Sequence, residues 1–216
     1  TISVVDDDAN VAPDTITFSG KIGSTNVYTT LTQVGDLTVG NATQGGSAVF
    51  TSTDGVSVDT VTVTGGDHSS EDSAVEFQDA FTVTSVTLDD NAGTATVTIN
   101  TTNGAQTIAD WSGNALLGTI DGATAGEGTL AVKDDDGSAA AQAATFSGNI
   151  GATNSLRAIT VGSATESGSA VFQGTVAATN ISVTSGNADP EISAAEFQRS
   201  LTATSLTLDE VNGTAP

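Results

Sequence analysis

At 216 residues the chain is long enough to bury a core of its own, yet 26 Asp and Glu stand against 4 Lys and Arg, a formal net charge of −22. Such a surface repels phosphate backbones and anionic headgroups, which argues against nucleic-acid binding, and no stretch approaches the roughly 18 apolar residues of a membrane span. The absence of Cys excludes disulfide staples and thiol chemistry, while 24 Gly with abundant Thr, Val, Ser and Asn predict strands and turns instead of helices.

The first predicted element is a short strand in Thr1 to Asp8, TISVVDDD, which ends in three adjacent carboxylates. Like charges held side by side repel, and a cation relieves them. Calcium accepts six to eight oxygen ligands at loose geometry, so Asp6, Asp7 and Asp8 are candidate calcium ligands; a solvated turn is the alternative. A second strand is expected around Phe18 in TFSGKIGSTN, and others around Phe50 and Phe77. Between them Val56 and Val58 alternate, as do Val61 and Val63, but the step between the pairs is three residues. An odd step reverses the inward face unless the chain bends there, so a corner is expected at Asp59-Thr60. Phe81, Val83, Val86 and Leu88 repeat the pattern, with a corner at Thr84-Ser85. The run SSEDSAVEFQDAF reads as one helical turn or the start of a strand. Acidic turns at Asp67, Glu71 and Asp72, and at Asp89-Asp90, read as solubilising.

At Thr129 the chain begins again. TLAVKDDD repeats TISVVDDD at an offset of 128, and TFSGNIGATN from Thr145 repeats TFSGKIGSTN from Thr17 at the same offset. The offset falls to 120 where Glu196-Phe197-Gln198 answers Glu76-Phe77-Gln78. Residues 1–128 are therefore a complete unit and 129–216 a partial second copy, which leads us to expect a segment of a longer array. The repeat brings a second candidate calcium set, Asp134, Asp135 and Asp136. Phe146, Phe172 and Phe197 lie 26 and 25 residues apart, so a coil of about 25 residues is expected, five to the unit. Stacked corners of this kind predict an all-β fold, a β-solenoid resembling a parallel β-helix, with all six of these phenylalanines buried. Tandem β-sandwich modules are the alternative, because a β-bulge gives the same three-residue step.

Segments such as TFSGNIGATNSLRAITVG and AVFQGTVAATNISVTSG resemble the β-strand-repeat proteins of bacterial surfaces, a group of surface-layer proteins, adhesins and autotransporter passengers. The resemblance implies secretion to the cell surface, a structural or adhesive role and frequent calcium dependence. The GGxGxD nonapeptide of repeat-in-toxin proteins is absent, so that family's calcium sites do not carry over. SVVDDDAN and AVKDDDGS also resemble the strand ends of Calx-β sandwich modules.

Catalysis has little support. His68 is the one histidine and its neighbourhood in the second copy holds none; no GxSxG or Ser-His-Asp set occurs. A glycan-cleaving β-helix would need aromatic platforms, and Trp111 and Tyr28 are the only Trp and Tyr. The expected function is a structural repeat segment of an extracellular bacterial surface-layer or filament-forming protein with calcium as its cofactor and itself as principal partner. An adhesin stalk or ligand-binding module with a cell-surface glycan as partner is the alternative.

Overall fold

The computed structural model describes residues 1–6, 14–19, 22, 35–51, 56–79, 81–102, 106–108, 118–134, 142–186 and 192–210. All regular elements among them are strands. In chain order they are β1 (Ile2–Val4), β2 (Thr15–Phe18), β3 (Leu37–Val39), β4 (Gly46–Phe50), β5 (Val56–Ser57), β6 (Thr60–Thr64), β7 (Ser73–Phe77), β8 (Phe81–Thr82), β9 (Ser85–Asp89) and β10 (Ala95–Asn100). There follow β11 (Gln106–Ile108), β12 (Thr119–Gly122), β13 (Glu127–Lys133), β14 (Ala143–Phe146), β15 (Leu156–Val161), β16 (Ser169–Phe172), β17 (Val176–Ser185), β18 (Ala194–Phe197) and β19 (Leu201–Glu210).

Every one of these strands pairs in parallel with a strand one turn away, and three ladders run along the molecule. The first face carries β1-β3-β6-β9-β12, the second β2-β4-β7-β10-β13-β15-β17-β19, and the third Ile22-β5-β8 with β11-β14-β16-β18 packed beside it. The fold is a β-solenoid, not a pair of sandwiches. Partners on the second face step from Phe18 to Phe50, Phe77, Ile99, Val132, Val161, Val183 and Leu208, intervals of 22 to 33 residues around the expected coil of about 25.

The apolar alternation explains the core. In β6, β9 and β13 every second residue is buried, and the three-residue steps fall on bends at Asp59 and Thr84 as expected. In β19 the strand runs on through Thr204, and the ladder with β17 passes from Ala178↔Ala203 to Asn180↔Ser205, one pair being skipped at the same three-residue step between Ala203 and Leu206. Phe50, Phe77, Phe146 and Phe172 are fully buried, while Phe18 and Phe197, at the two edges, are partly so. The helical-turn alternative for SSEDSAVEFQDAF gives way to strand β7: Ser73, Val75 and Phe77 point inward at a period of two, which a helix could not sustain.

One sequence expectation needs correction. The unit does not hold five turns: among the described residues β1 to β12 with the bridge at Ile22 make thirteen strand positions, four turns and a third, and the ladders of the first two faces join these positions directly from one turn to the next. The second copy therefore begins one face further round. β13, the counterpart of β1, stacks on β10 of the second face instead of following β12 on the first. β14 then stacks on β11, and Ile150 bridges Ile120 of β12. Equivalent phenylalanine ladders accordingly lie on different faces, Phe18-Phe50-Phe77 on the second and Phe146-Phe172-Phe197 on the third.

Candidate functional site

The corners are built twice from the same parts. After β3, Gly40 takes a φ of 72° and donates its N–H to the Val4 carbonyl at 2.8 Å; Gly162 after β15 takes 73° and donates to Val132, also at 2.8 Å. A Cβ at either glycine would collide with a serine hydroxyl and with a carbonyl, those of Ser73 and Thr64 or of Ser193 and Thr184. Only glycine fits both the left-handed backbone and the close approach. The serine then ties its own turn to the preceding one: Ser73 Oγ donates to Thr64 O at 2.6 Å and accepts from Gly46 N at 3.1 Å, and Ser193 Oγ donates to Thr184 O at 2.6 Å and accepts from Gly168 N at 3.0 Å.

Of the candidate calcium ligands, Asp6 and Asp134 fall among the described residues, and Asp7, Asp8, Asp135 and Asp136 lie outside them. The two described carboxylates do the same thing. Asp6 Oδ2 accepts the N–H of Asp14 at 2.6 Å, and Asp134 Oδ2 accepts that of Gln142 at 2.7 Å, so each carboxylate bonds a backbone N–H eight positions along the chain, between the first two strands of its unit. Asp134 is buried, and its own N–H donates to Ser167 O at 2.7 Å. Among the described residues no three His, Cys, Asp or Glu side chains group closely enough to hold a metal. Trp111 and Tyr28 also lie outside the described residues.

Carboxylate and amide side chains at the corners clamp one turn to the next. Asp72 Oδ1 accepts from both the N–H and the hydroxyl of Thr94 at 2.7 Å, Asp121 Oδ1 from Thr153 N at 2.9 Å, and Asn149 Oδ1 from Thr175 N at 2.9 Å. Asp90 accepts from Ala95 N at 2.7 Å and Gly128 N at 2.9 Å. A carboxylate that takes two backbone donors at a corner satisfies groups the ladder cannot reach, a structural duty beyond solubility. His68 sits in the same kind of turn, exposed, where its N–H donates to Glu71 Oε2 at 3.2 Å and its carbonyl accepts from Glu71 N at 3.0 Å.

The junction between the copies uses two of the four cationic residues. Arg157 reaches Asp90 at 3.1 Å and donates to Thr129 Oγ1 at 2.8 Å, while Lys133 lies 3.4 Å from Glu76 and 4.0 Å from Glu166. Glu76 also accepts from Asn100 Nδ2 at 2.8 Å. Lys133 replaces Val5 of the first copy, the one sequence signal that could have marked this contact. Nearby, burial and then the charges of Glu127 and Asp90 raise the Asp89 carboxyl above its ordinary range.

The remaining distinctive surfaces are the two edges. Ile16 of β2 is 48% exposed, whereas its counterpart Ala144, covered by β11, is fully buried. Leu206 and Leu208 of β19 are 51% and 75% exposed, whereas their counterparts Val86 and Leu88, covered by β12, are 1% and 0%. A shallow depression lined by Val4, Val5, Asp6, Asp14 and Ile16 opens at the β1-β2 edge. Comparison of the chain with protein-family models, with curated proteins and with solved structures gave no match.

Proposed function

We propose that the chain is a non-catalytic structural repeat segment of an extracellular bacterial surface-layer or filament-forming protein, which assembles through repeat and subunit contacts and is stabilised by calcium at its acidic loops. The observation that supports this reading is the rebuilding of one corner, Gly-Ser clamp and Asp loop together, in both copies along one unbroken ladder. An assembly made of equivalent contacts benefits from such repetition; a reaction centre needs a single cleft, and repetition gives it nothing.

Electron microscopy of the purified protein, with calcium and with a chelator, tests the reading. Ordered sheets or fibres are expected, more extensive with calcium. Protein that stays dispersed in both conditions yet binds a cell-surface glycan would replace this reading with that of an adhesin stalk.

A further inference from the structure

We infer that Lys133 and Asn100, directly opposite one another on β13 and β10 and both bonded to the Glu76 carboxylate, condense into a side-chain isopeptide bond that ties the second copy covalently to the first. The three residues come from three successive strands of the second face, β7, β10 and β13. Facing residues of parallel, in-register strands project to the same side of the sheet at the strand separation, about 4.8 Å. The lysine stem therefore starts beside the asparagine, and its amine ends at the carboxylate that the asparagine amide also reaches. An ion pair would need only Lys133 and Glu76; the third member, a fully buried asparagine facing the lysine in register, is what opens the condensation chemically.

Each group the reaction needs has a partner in place. Lys133 Nζ lies 3.4 Å from Glu76 Oε2, and Asn100 Nδ2 donates to Glu76 Oε1 at 2.8 Å, so one carboxylate touches both the nucleophile and the leaving group. Asn100 Oδ1 accepts the Thr102 N–H at 3.1 Å, which puts a backbone donor where negative charge gathers when Cγ is attacked. Gln78 Nε2 donates to Glu76 Oε1 at 2.8 Å and fixes the carboxylate from the other side. Burial of Asn100 keeps water, the competing nucleophile, from its amide, while the lysine side chain is a quarter exposed and leaves ammonia a way out.

The step balances without any further reactant. Glu76 takes one proton from the Lys133 ammonium, and the freed amine attacks Asn100 Cγ, forming the Nζ–Cγ bond. Glu76 then passes its proton to Nδ2 and collects a second from Nζ; the Cγ–Nδ2 bond breaks and the carbonyl re-forms. Ammonia leaves and carries that second proton away as ammonium, which restores the Glu76 carboxylate. The reaction happens once per chain, and the ladder holds its partners together throughout, so proximity replaces turnover. Because β10 belongs to the first copy and β13 to the second, a pull along the chain would pass through the new bond and leave the turn between Asn100 and Lys133 unloaded.

The test is mass spectrometry of the purified whole chain after prolonged incubation, with Lys133→Arg and Glu76→Gln beside it and circular dichroism to confirm that each is folded. Wild type should be lighter than its sequence by one ammonia, and cleavage at aspartates, among them Asp110 and Asp121, should release two peptides joined through Lys133 and Asn100. Lys133→Arg should keep its full mass. Glu76→Gln should do so too, or lose ammonia far more slowly. Folded wild type at its full sequence mass would overturn the inference whatever the variants do. An ammonia loss that persists in Lys133→Arg would overturn it as well, since the loss would then be a succinimide at an asparagine. A joined peptide formed as completely in Glu76→Gln as in wild type would remove the carboxylate from the reaction and with it the assigned mechanism.

Discussion

The two phenylalanine ladders are the same device in different settings. Phe18, Phe50 and Phe77 stack at 4.8 and 5.1 Å on the second face, and Phe146, Phe172 and Phe197 at 5.1 and 5.0 Å on the third. The first ladder ends inside the molecule, where Phe77 is covered by Ile99 and stacked 3.7 Å from Phe81; the second ends at an open edge, where Phe197 is only partly buried. Local pattern therefore decides how a turn is built. What lies over a turn is decided by the count of strand positions before it, and that count decides how much each ring contributes.

The largest expected effect breaks this equivalence at its two ends. Phe77→Ala should cost about 3–5 kcal/mol, the usual range for a buried phenylalanine whose neighbours cannot collapse into the gap. Phe197→Ala should cost less than half as much, because water already reaches that ring. Urea unfolding followed by circular dichroism measures both, and equal losses would show that the open edge is covered in solution.

Much of this was legible beforehand. Strand period, corners and repeat all have local signals: alternating Val and Leu, a three-residue step, a match at an offset of 128. The rotation by one face had none, because loops lengthen some turns to 33 residues and shorten others to 22, so dividing 128 by a coil length misjudges the number of turns. The carboxylates were legible as a repeated feature but not as clamps. Thr94, Gly128 and Thr153, which donate to Asp72, Asp90 and Asp121, sit 22, 38 and 32 residues away, distances that acquire meaning only once the coil is known.

An intermediate effect sharpens the likeness between the copies. Gly40→Ala and Gly162→Ala each place a Cβ against a carbonyl at positive φ, so each should destabilise by about 1–3 kcal/mol. The two losses should agree more closely with each other than do those of the phenylalanine pair, since both glycines lie at corners covered by a following turn. Thermal melts of the two variants make the comparison; a loss at one corner alone would mean that the second copy does not rely on the clamp it repeats.

The smallest effect concerns Asp89 at the covered end of β9, whose carboxyl is raised above its ordinary value of 3.8 first by burial and then by Glu127 and Asp90. Between the ordinary value and the raised one, the folded state keeps a proton that the unfolded chain has lost. Stability attributable to this group therefore falls as pH rises through that window and stays lower above it. Asp89→Asn removes the deficit, so the variant should melt slightly higher than wild type at neutral pH, and the advantage should disappear as pH falls below the ordinary carboxylate range. The margin is small because the site is only half-buried and solvent screens the neighbouring charges. Asp209→Asn removes the same charge from an exposed site on the open edge and so isolates the general relief of net negative charge. If the two variants gain equally at neutral pH, what they relieve is the overall charge of the chain, and covering β9 with β12 and β13 carries no electrostatic cost of its own.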